Sequence, residues 1–233
     1  MKIAVLGYGK MGKTIERLAL EGGHDIVLKT NQLNTSFDLT NADVAIDFSS
    51  AEIAPSNILA CFEQNTPVVS GTTGWLSEYN NIIQKCEASN GSFLYASNFS
   101  IGVNIFFNLN EHLAKLMEPL TAYSVEIEET HHTEKKDTPS GTAITLADTI
   151  IENSDYENWN LIAPTANEIK IDAKRISEVK GTHEIKYASA IDTITIKHEA
   201  HSRDGFALGA LLAANWLQYK KGIFSMKDVL NIR

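Results

Sequence analysis

The sequence contains little cysteine and no long apolar run. Cys61 and Cys86 are the only cysteines in 233 residues, and they do not form a CxxC pair. A chain with so few thiols has no disulfide framework and suits a reducing compartment. The run that comes closest to a membrane span, residues 206–217, is too short and contains Asn215. We therefore expect a protein that does not cross a membrane.

Basic residues are also under-represented. The chain has 20 Lys and Arg against 29 Asp and Glu, which gives a formal net charge of −9. A negative balance of this size argues against nucleic acid as a partner. With 43% hydrophobic and 21% charged residues, the composition is that of an ordinary globular protein, and the length allows one large domain or two modest ones.

Short apolar runs alternate with helical patterns through the first hundred residues. A run of aliphatic residues bounded by glycine is typical of a buried parallel strand. Strands that alternate with helices at this spacing predict an α/β domain with a Rossmann-type, doubly wound parallel sheet. The predicted strands are residues 2–6, 25–29, 43–48, 67–70 and 92–96.

The first predicted strand runs into a glycine-rich turn. In the pattern G-x-G-x-x-G, the first glycine makes the turn, the second admits a pyrophosphate and the third allows close packing of helix on strand. A glycine-rich turn without a ligand is the alternative. The position after a strand and before a helix favours dinucleotide binding. The residues are Gly7, Tyr8, Gly9, Lys10, Met11 and Gly12.

The second predicted strand lacks the acidic residue that usually follows it in NAD-binding folds. Such folds place Asp or Glu about 20 residues after the first glycine to bind the ribose hydroxyls. Here Lys29, Thr30 and Asn31 occupy that place, and Asp38 is several residues further on. Lys29 can pair with a 2′-phosphate only if its side chain faces the ribose. Because side chains alternate along a strand, a shift of one residue decides whether it does, and the sequence leaves that position open. We expect use of both NADPH and NADH, with a weak preference for NADPH.

The pattern changes after residue 100. A predicted amphipathic helix at 103–118 is followed, later in the chain, by strand-like segments at 169–176, 184–188 and 193–198, while 153–167 is polar and irregular. Strands without intervening helices predict a second, α+β domain built on an open mixed sheet. The predicted dinucleotide-binding domain comprises residues 1–100 and 203–233, and the second domain comprises residues 101–202.

The most informative stretch is residues 126–143, a strand that leads into a helix start. His131, His132, Lys135 and Lys136 lie between the two, just ahead of Ser140. A helix N-terminus attracts anions, and imidazole transfers protons near neutral pH. The stretch therefore predicts a site for an anion that must also be protonated. The alternative is a solvated polar loop with an ordinary serine cap.

This stretch resembles the signature of the 4-hydroxy-tetrahydrodipicolinate reductase (dihydrodipicolinate reductase) family. Other segments resemble family segments in the expected order. The signature positions are Glu126, Ile127, Glu129, His131, Lys135, Asp137, Pro139, Ser140, Gly141, Thr142 and Ala143. The further segments are residues 7–12, 47–49, 71–74 and 96–104, with Gly181, His183, Ser202, Arg203 and Phe206.

The resemblance implies an NAD(P)H-dependent oxidoreductase that reduces 4-hydroxy-tetrahydrodipicolinate to tetrahydrodipicolinate in lysine and diaminopimelate biosynthesis. It implies a small dicarboxylate substrate, NADPH or NADH as cofactor and no metal. It also implies a cytoplasmic homotetramer whose subunits meet through the sheet of the second domain, which serves substrate binding and tetramerisation.

The resemblance also implies roles for individual residues. His131 would donate the proton, with Lys135 as its acidic or charge-stabilising partner. The substrate carboxylates would be held by His132, Lys135, Ser140, Gly141 and Thr142. The cofactor would be bound by Gly7, Tyr8, Gly9, Lys10, Met11, Gly12, Lys29, Gly71, Thr72, Thr73, Ala96, Ser97, Asn98 and Phe99.

Two other functions remain open at this point. One is a different two-domain NAD(P)-dependent dehydrogenase that acts on an amino-acid or sugar derivative, which would need a different central stretch. The other is a dinucleotide sensor without turnover. A sensor has no need of a His-Lys pair beside an anion-binding helix start, and this chain has both.

Overall fold

The computed structural model describes residues 1–31 and 37–232, and the chain forms two compact units. The first unit comprises Met1–Asn104 and Asp204–Arg233, and the second comprises Ile105–Arg203. In the part of the chain that the structure describes, no helix is both long and apolar enough to cross a membrane.

The first unit is built on a six-stranded parallel sheet, which confirms the predicted doubly wound architecture. The spatial order is β11-β5-β4-β3-β1-β2, so the direction of winding reverses at β1. Open α/β sheets bind ligands at such a reversal, outside the carboxyl ends of the strands. The strands are β1 (Lys2–Leu6), β2 (Asp25–Thr30), β3 (Val44–Asp47), β4 (Val68–Ser70), β5 (Ser92–Tyr95) and β11 (Gly222–Phe224).

Helices cover both faces of this sheet. Ile3 and Val5 face one hydrophobic cluster, and Ala4 and Leu6 face the other. Because both faces are buried, the inner strands β1 and β3 are largely apolar rather than alternating, whereas the edge strand β2 alternates between exposed and half-buried residues. On the first face lie α1 (Lys10–Glu21) and α6 (Asp204–Leu217), and on the second α2 (Ala54–Glu63) and α3 (Tyr79–Ala88). The short α7 (Met226–Val229) begins at a capping box formed by Ser225 and Asp228.

The second unit is built on a five-stranded mixed sheet in the order β10-β9-β6-β8-β7, as predicted for this class. The central strand β6 pairs in parallel with β8 and antiparallel with β9. The prediction of irregular structure at 153–167 was wrong at β7, because three residues are too few to show an alternating pattern. The elements are α4 (Ile101–Met117), whose first residues belong to the first unit, β6 (Ser124–His131), α5 (Gly141–Ile151), β7 (Asn158–Asn160), β8 (Glu168–Arg175), β9 (Thr182–Ala188) and β10 (Thr193–Glu199).

A glycine in the middle of α6 lets two backbones touch in the first unit. A Cβ at Gly209 would lie 1.7 Å from the carbonyl oxygen of Phe99. In the same helix, a Cβ at Gly205 would meet nothing closer than Ser100 Oγ at 3.8 Å. Gly209 therefore fixes how closely α6 packs on the segment that follows β5.

The two glycines should respond in opposite ways to alanine. Gly209→Ala should lower the free energy of unfolding by about 1–3 kcal/mol, because the added carbon forces the backbone to shift. Gly205→Ala should be neutral or raise it by up to about 1 kcal/mol, because alanine favours the helix. Urea denaturation followed by circular dichroism measures both. Equal effects at the two positions would show that helix propensity, not packing, decides the outcome.

Candidate active site

The glycine-rich loop between β1 and α1 has one open position. A Cβ at Gly7, whose φ is +96°, would lie 2.2 Å from the carbonyl oxygen of Phe48, and a Cβ at Gly12 would lie 2.2 Å from that of Gly7. At Gly9 a Cβ would meet nothing within 4 Å. Gly7 and Gly12 are therefore packing positions, while Gly9 faces open space at the start of α1. This arrangement fits a dinucleotide pyrophosphate.

Lys10, Met11 and Gly12 lie in the first turn of α1, which begins at Lys10. The sequence pattern predicts that helix only from residue 14, since the glycine motif hides its first turn. The predicted cofactor residues of this loop thus contribute their backbone at a helix N-terminus, where N–H groups and the helix dipole attract anions.

The loop after β4 is held by a buried carboxylate. Asp47 Oδ2 accepts hydrogen bonds from Ser70 Oγ at 3.0 Å and Thr72 Oγ1 at 2.7 Å, while Oδ1 accepts from Ser49 Oγ at 2.7 Å and Asn57 Nδ2 at 2.9 Å. Burial raises the pKa of Asp47, and these hydrogen bonds act in the opposite direction. Asp47 thereby fixes the predicted cofactor residue Thr72, next to Gly71 and the exposed Thr73.

The predicted cofactor residues after β5 divide into two kinds. Ala96 donates its N–H to Ser70 O at 3.2 Å, and Asn98 Oδ1 accepts from the backbone N–H of Ser100 at 2.9 Å, so these residues hold the loop in shape. Ser97 is exposed. The side chain of Phe99 is only 1% exposed and belongs to the core. If Phe99 contacts the nicotinamide as predicted, it does so through its main chain, because its side chain is buried.

Lys29 lies on the face of the sheet that α1 covers. The register of β1 and β2 shifts at Ile3 and Ala4, so that Val5 pairs with Lys29 and both face α1. Lys29 Nζ lies 2.8 Å from Glu16 Oε1 on α1. The sequence places no carboxylate directly after β2 and predicts none near the end of this strand. This expectation is corrected here, because α1 brings Glu16 to that end.

In the second unit, β6 carries a carboxylate and an imidazole on its core-facing side. Val125 and Ile127 pack in the core, and Glu129 and His131 continue the same side of the strand. Glu129 is fully buried, and its Oε2 lies 3.0 Å from His131 Nδ1. The alignment of the N–H is poor for a hydrogen bond, so the contact is chiefly electrostatic.

Strand pairing brings two further groups to this carboxylate. Arg175 on β8 pairs with His131, and His183 on β9 pairs with Glu129. Arg175 Nη2 lies 3.1 Å from Glu129 Oε1, and His183 Nε2 lies 3.7 Å from Glu129 Oε2. No sequence pattern identifies Arg175, and the family resemblance implies no role for His183, because only the register of the sheet brings these residues together.

The electrostatics of the cluster favour a charged Glu129 beside a neutral His183. Burial alone would raise the pKa of Glu129, but the contacts with His131 and Ser140 outweigh it and lower that pKa to about 2. Burial lowers the pKa of His183 from 6.5 to about 3, with a further contribution from the neighbouring charge of His131. The cluster thus has a permanent negative charge at its centre.

The helix start at Ser140 is tied to the same carboxylate. The backbone N–H of Ser140 donates to Glu129 Oε1 at 3.0 Å, and Ser140 Oγ accepts from Ala143 N at 3.2 Å and lies 3.1 Å from His183 Nε2. From the sequence, Ser140 is expected to hold a substrate carboxylate, but its N–H is already used within the protein. For the N–H groups of Gly141 and Thr142, the described residues provide no hydrogen-bond acceptor.

His132 and Lys135, which are expected to hold the substrate carboxylates, contact other protein residues in the structure. Lys135 Nζ pairs with Asp137 Oδ2 at 2.8 Å, which lowers the pKa of Asp137. His132 Nε2 lies 3.3 Å from Arg203 Nη2. Among the described residues, no hydrogen bond or ion pair joins Lys135 to His131. The neighbour of His131 in the structure is Glu129, and the role that the resemblance implies for Lys135 stays a prediction.

The same cluster has donor types that can hold a metal. One ligand atom each from Glu129, His131 and His183 lie within 4.8 Å of one another. Carboxylate and imidazole are ordinary zinc ligands. The guanidinium of Arg175, 3.1 Å from the same carboxylate, opposes the approach of a cation. The absence of a metal stays a prediction.

The lowered pKa of His183 predicts acid sensitivity. Between pH 3 and 6.5 the unfolded chain binds a proton at His183 that the folded protein does not, so stability falls as the pH drops through this window. Going from pH 7 to pH 5 should remove about 2 kcal/mol of unfolding free energy through this residue. Urea titrations at both pH values should show a smaller loss in His183→Gln. The exposed His112→Gln serves as control, and an unchanged pH slope in His183→Gln would contradict the assignment.

Both halves of the chain match known proteins of one family. Residues 1–99 match the family model for the N-terminus of dihydrodipicolinate reductase, and residues 102–230 match the one for its C-terminus. The chain is 53% identical to the 4-hydroxy-tetrahydrodipicolinate reductase of Christiangramia forsetii over 99% of this chain and 98% of that protein. It is 39% identical to the enzyme of that name from Rickettsia rickettsii, over 96% of each.

Solved structures show the same fold. The dihydrodipicolinate reductase from Paenisporosarcina sp. TG-14, solved with dipicolinate bound, matches with a TM-score of 0.77 and 21% identity over 100% of this chain and 99% of that one. An aspartate dehydrogenase from Thermotoga maritima matches with a TM-score of 0.52 and 13% identity over 94% and 97%. Because both halves match models of one family and a relative is 53% identical over nearly its full length, the chain belongs to the dihydrodipicolinate reductase family.

Proposed function

We propose that this protein reduces 4-hydroxy-tetrahydrodipicolinate to tetrahydrodipicolinate with NADH or NADPH, and that His131 provides the proton. The observation that carries the assignment of His131 is the fully buried Glu129 carboxylate, 3.0 Å from His131 Nδ1 and bonded to the helix start at Ser140. One anion thus connects a proton donor with an anion-binding helix N-terminus, the two elements that reduction of a dicarboxylate requires.

The chemistry balances with these groups. Loss of water removes the hydroxyl together with a proton from the neighbouring ring carbon and leaves a conjugated imine. Hydride addition to this imine leaves an electron-rich ring carbon that takes up one proton, so the reaction overall consumes one hydride and one proton and releases one water. Bound nicotinamide supplies the hydride. In the doubly protonated imidazolium, Nδ1–H of His131 faces the Glu129 carboxylate, and Nε2–H is the proton that passes to the electron-rich ring carbon. A Cβ at residue 181 would lie 3.2 Å from His131 Nε2, so Gly181 leaves this nitrogen uncrowded.

The substrate carboxylates are assigned to the start of α5 and its approach. The N–H groups of Gly141 and Thr142 point out of the first turn, and a Cβ at Gly141 would meet nothing within 4 Å. The imidazole of His132 and the ammonium of Lys135, which pairs with Asp137, are further hydrogen-bond donors in the preceding connection. A helix start with two nearby cationic or neutral donors suits a dicarboxylate.

The cofactor is assigned to the first unit. The open position at Gly9 and the loops after β4 and β5 lie at the carboxyl ends of parallel strands, where dinucleotides bind in this fold. We assign the pyrophosphate to residues 7–12 and the nicotinamide and its ribose to residues 71–73 and 96–99. These assignments follow the family motif residue by residue.

We also propose a cytoplasmic homotetramer that associates through the sheet of the second unit. The edge strand β10 supports this, because Thr193, Ile194 and Thr195 are exposed on it. An exposed edge strand with apolar side chains is a ready surface for a second chain. Analytical ultracentrifugation measures the mass of the assembly.

The direct test of the reaction is the loss of NADPH absorbance on addition of freshly generated substrate, in the parent and in His131→Gln. The variant should lower kcat by about 10²-fold or more, as expected for loss of a general acid, with a modest change in KM. His112→Gln, on the exposed side of α4, should leave kcat unchanged. A parent without turnover would refute the reaction, and parental turnover in His131→Gln would exclude His131 as the donor.

A further inference from the structure

An ion pair beside the glycine-rich loop has no part in the proposed mechanism. Lys29 Nζ lies 2.8 Å from Glu16 Oε1, and Glu16 Oε2 accepts a hydrogen bond from Tyr8 Oη. Lys29 Nζ also lies 5.0 Å from the centroid of the Tyr8 ring. The Glu16 side chain is 19% exposed, so the pair is partly shielded from water. Three residues from β2, α1 and the loop thus form one cluster, which we call the Lys29 cluster.

The Lys29 cluster lies where the ribose of a dinucleotide is bound in this fold. The loop and the end of β2 are joined directly, because Gly7 N donates to Thr30 O at 2.8 Å and Tyr8 N donates to Asn31 Oδ1. In Rossmann folds the residues at the end of the second strand contact the adenosine ribose and decide between a hydroxyl and a phosphate at its 2′ position. Lys29 is therefore a cation placed to meet a 2′-phosphate.

Glu16 neutralises this cation before any cofactor arrives. The hydrogen bond with Glu16 raises the pKa of Lys29, and the same contact lowers the pKa of Glu16, so both groups are charged near neutral pH. A 2′-phosphate that approaches Lys29 meets a pair with no net charge. It must either break the pair or accept the repulsion of the Glu16 carboxylate.

We propose that Glu16 is a specificity-determining residue, which holds Lys29 and thereby reduces the advantage that this lysine gives NADPH over NADH. The inference rests on the proposed cofactor site and extends it, since Glu16 lies on α1 and outside the segment where the sequence predicts cofactor selection. It accounts for a cofactor site that has a lysine at the ribose end and still accepts both cofactors.

Glu16→Gln is the informative variant, because glutamine keeps the shape of the side chain and can still bond to Tyr8 Oη. Glu21→Gln is the matched control. It removes the same charge from the same helix, further from the loop, where Glu21 pairs with Arg17 at 3.1 Å. A third variant, Glu16→Gln with Lys29→Gln, removes the cation that Glu16→Gln releases.

The readout is the dissociation constant of NADPH and of NADH, measured by calorimetry with the full-length protein in the absence of substrate. Adenosine 2′,5′-bisphosphate and 5′-AMP serve as probes of the 2′-phosphate alone. Glu16→Gln should tighten NADPH and the bisphosphate about three- to fivefold, the range of a partly exposed charge pair, and leave NADH and AMP within about twofold. In the double variant, the preference for NADPH over NADH should return to the parental value or fall below it.

Three results would overturn the proposal. The first is a ratio of the NADPH and NADH dissociation constants that is the same in Glu16→Gln as in Glu21→Gln. The second is an equal gain in affinity for NADH and NADPH in Glu16→Gln. The third is a gain in NADPH affinity that persists in the double variant. In each of these cases the parent still binds both cofactors, and the proposed reductase function stands. A parent that binds neither nucleotide would refute the cofactor site and this inference together.

Discussion

The arrangement of the second unit depends on one buried carboxylate. Glu129 Oε1 accepts from the backbone of Ser140 and pairs with Arg175, while Oε2 faces His131 and His183. Removing the carboxylate would leave the guanidinium of Arg175 without its buried counter-charge, and a buried charge that loses its partner is strongly destabilising. The same group contacts His131, the proposed proton donor, and the start of α5, so the geometry of both proposed roles has a single origin.

The first unit uses close backbone approach where the second uses charge. Gly7, Gly12 and Gly209 each stand where a Cβ would overlap a carbonyl group. Hydrogen bonds to Asp47 then hold the neighbouring loop after β4. The loops at the carboxyl ends of β1 and β4 are thus held by close backbone packing and by side-chain hydrogen bonds. Gly9, open to solvent in the first of these loops, is the point where the proposed pyrophosphate approaches the backbone.

The sequence is sufficient for the fold class and for the local motifs. Alternation and aliphatic runs identify β1 and β6, and the capping residue Ser140 identifies the start of α5, because these signals lie within a few residues of each other. The three-residue strands β7 and β11 carry too little pattern to be predicted.

What depends on register and packing could not be read from the sequence. Arg175 reaches Glu129 only because β8 pairs with β6 in one register. Lys29 faces α1 only because the pairing of β1 and β2 shifts by one residue. Glu16 is distant from Lys29 in sequence and next to it in space. A one-residue change of register reverses the face of every later side chain, which no local pattern reveals.

The most direct test of the central role of Glu129 is Glu129→Gln, compared with Glu128→Gln on the opposite face of β6, where Glu128 pairs with Lys174. In folded protein, as judged by circular dichroism, kcat and the dissociation constant of pyridine-2,6-dicarboxylate are measured together. If one carboxylate holds both the donor and the helix start, Glu129→Gln lowers kcat about 10-fold or more and weakens dicarboxylate binding, while Glu128→Gln changes neither. Parental values of both quantities in Glu129→Gln would contradict this account of the site.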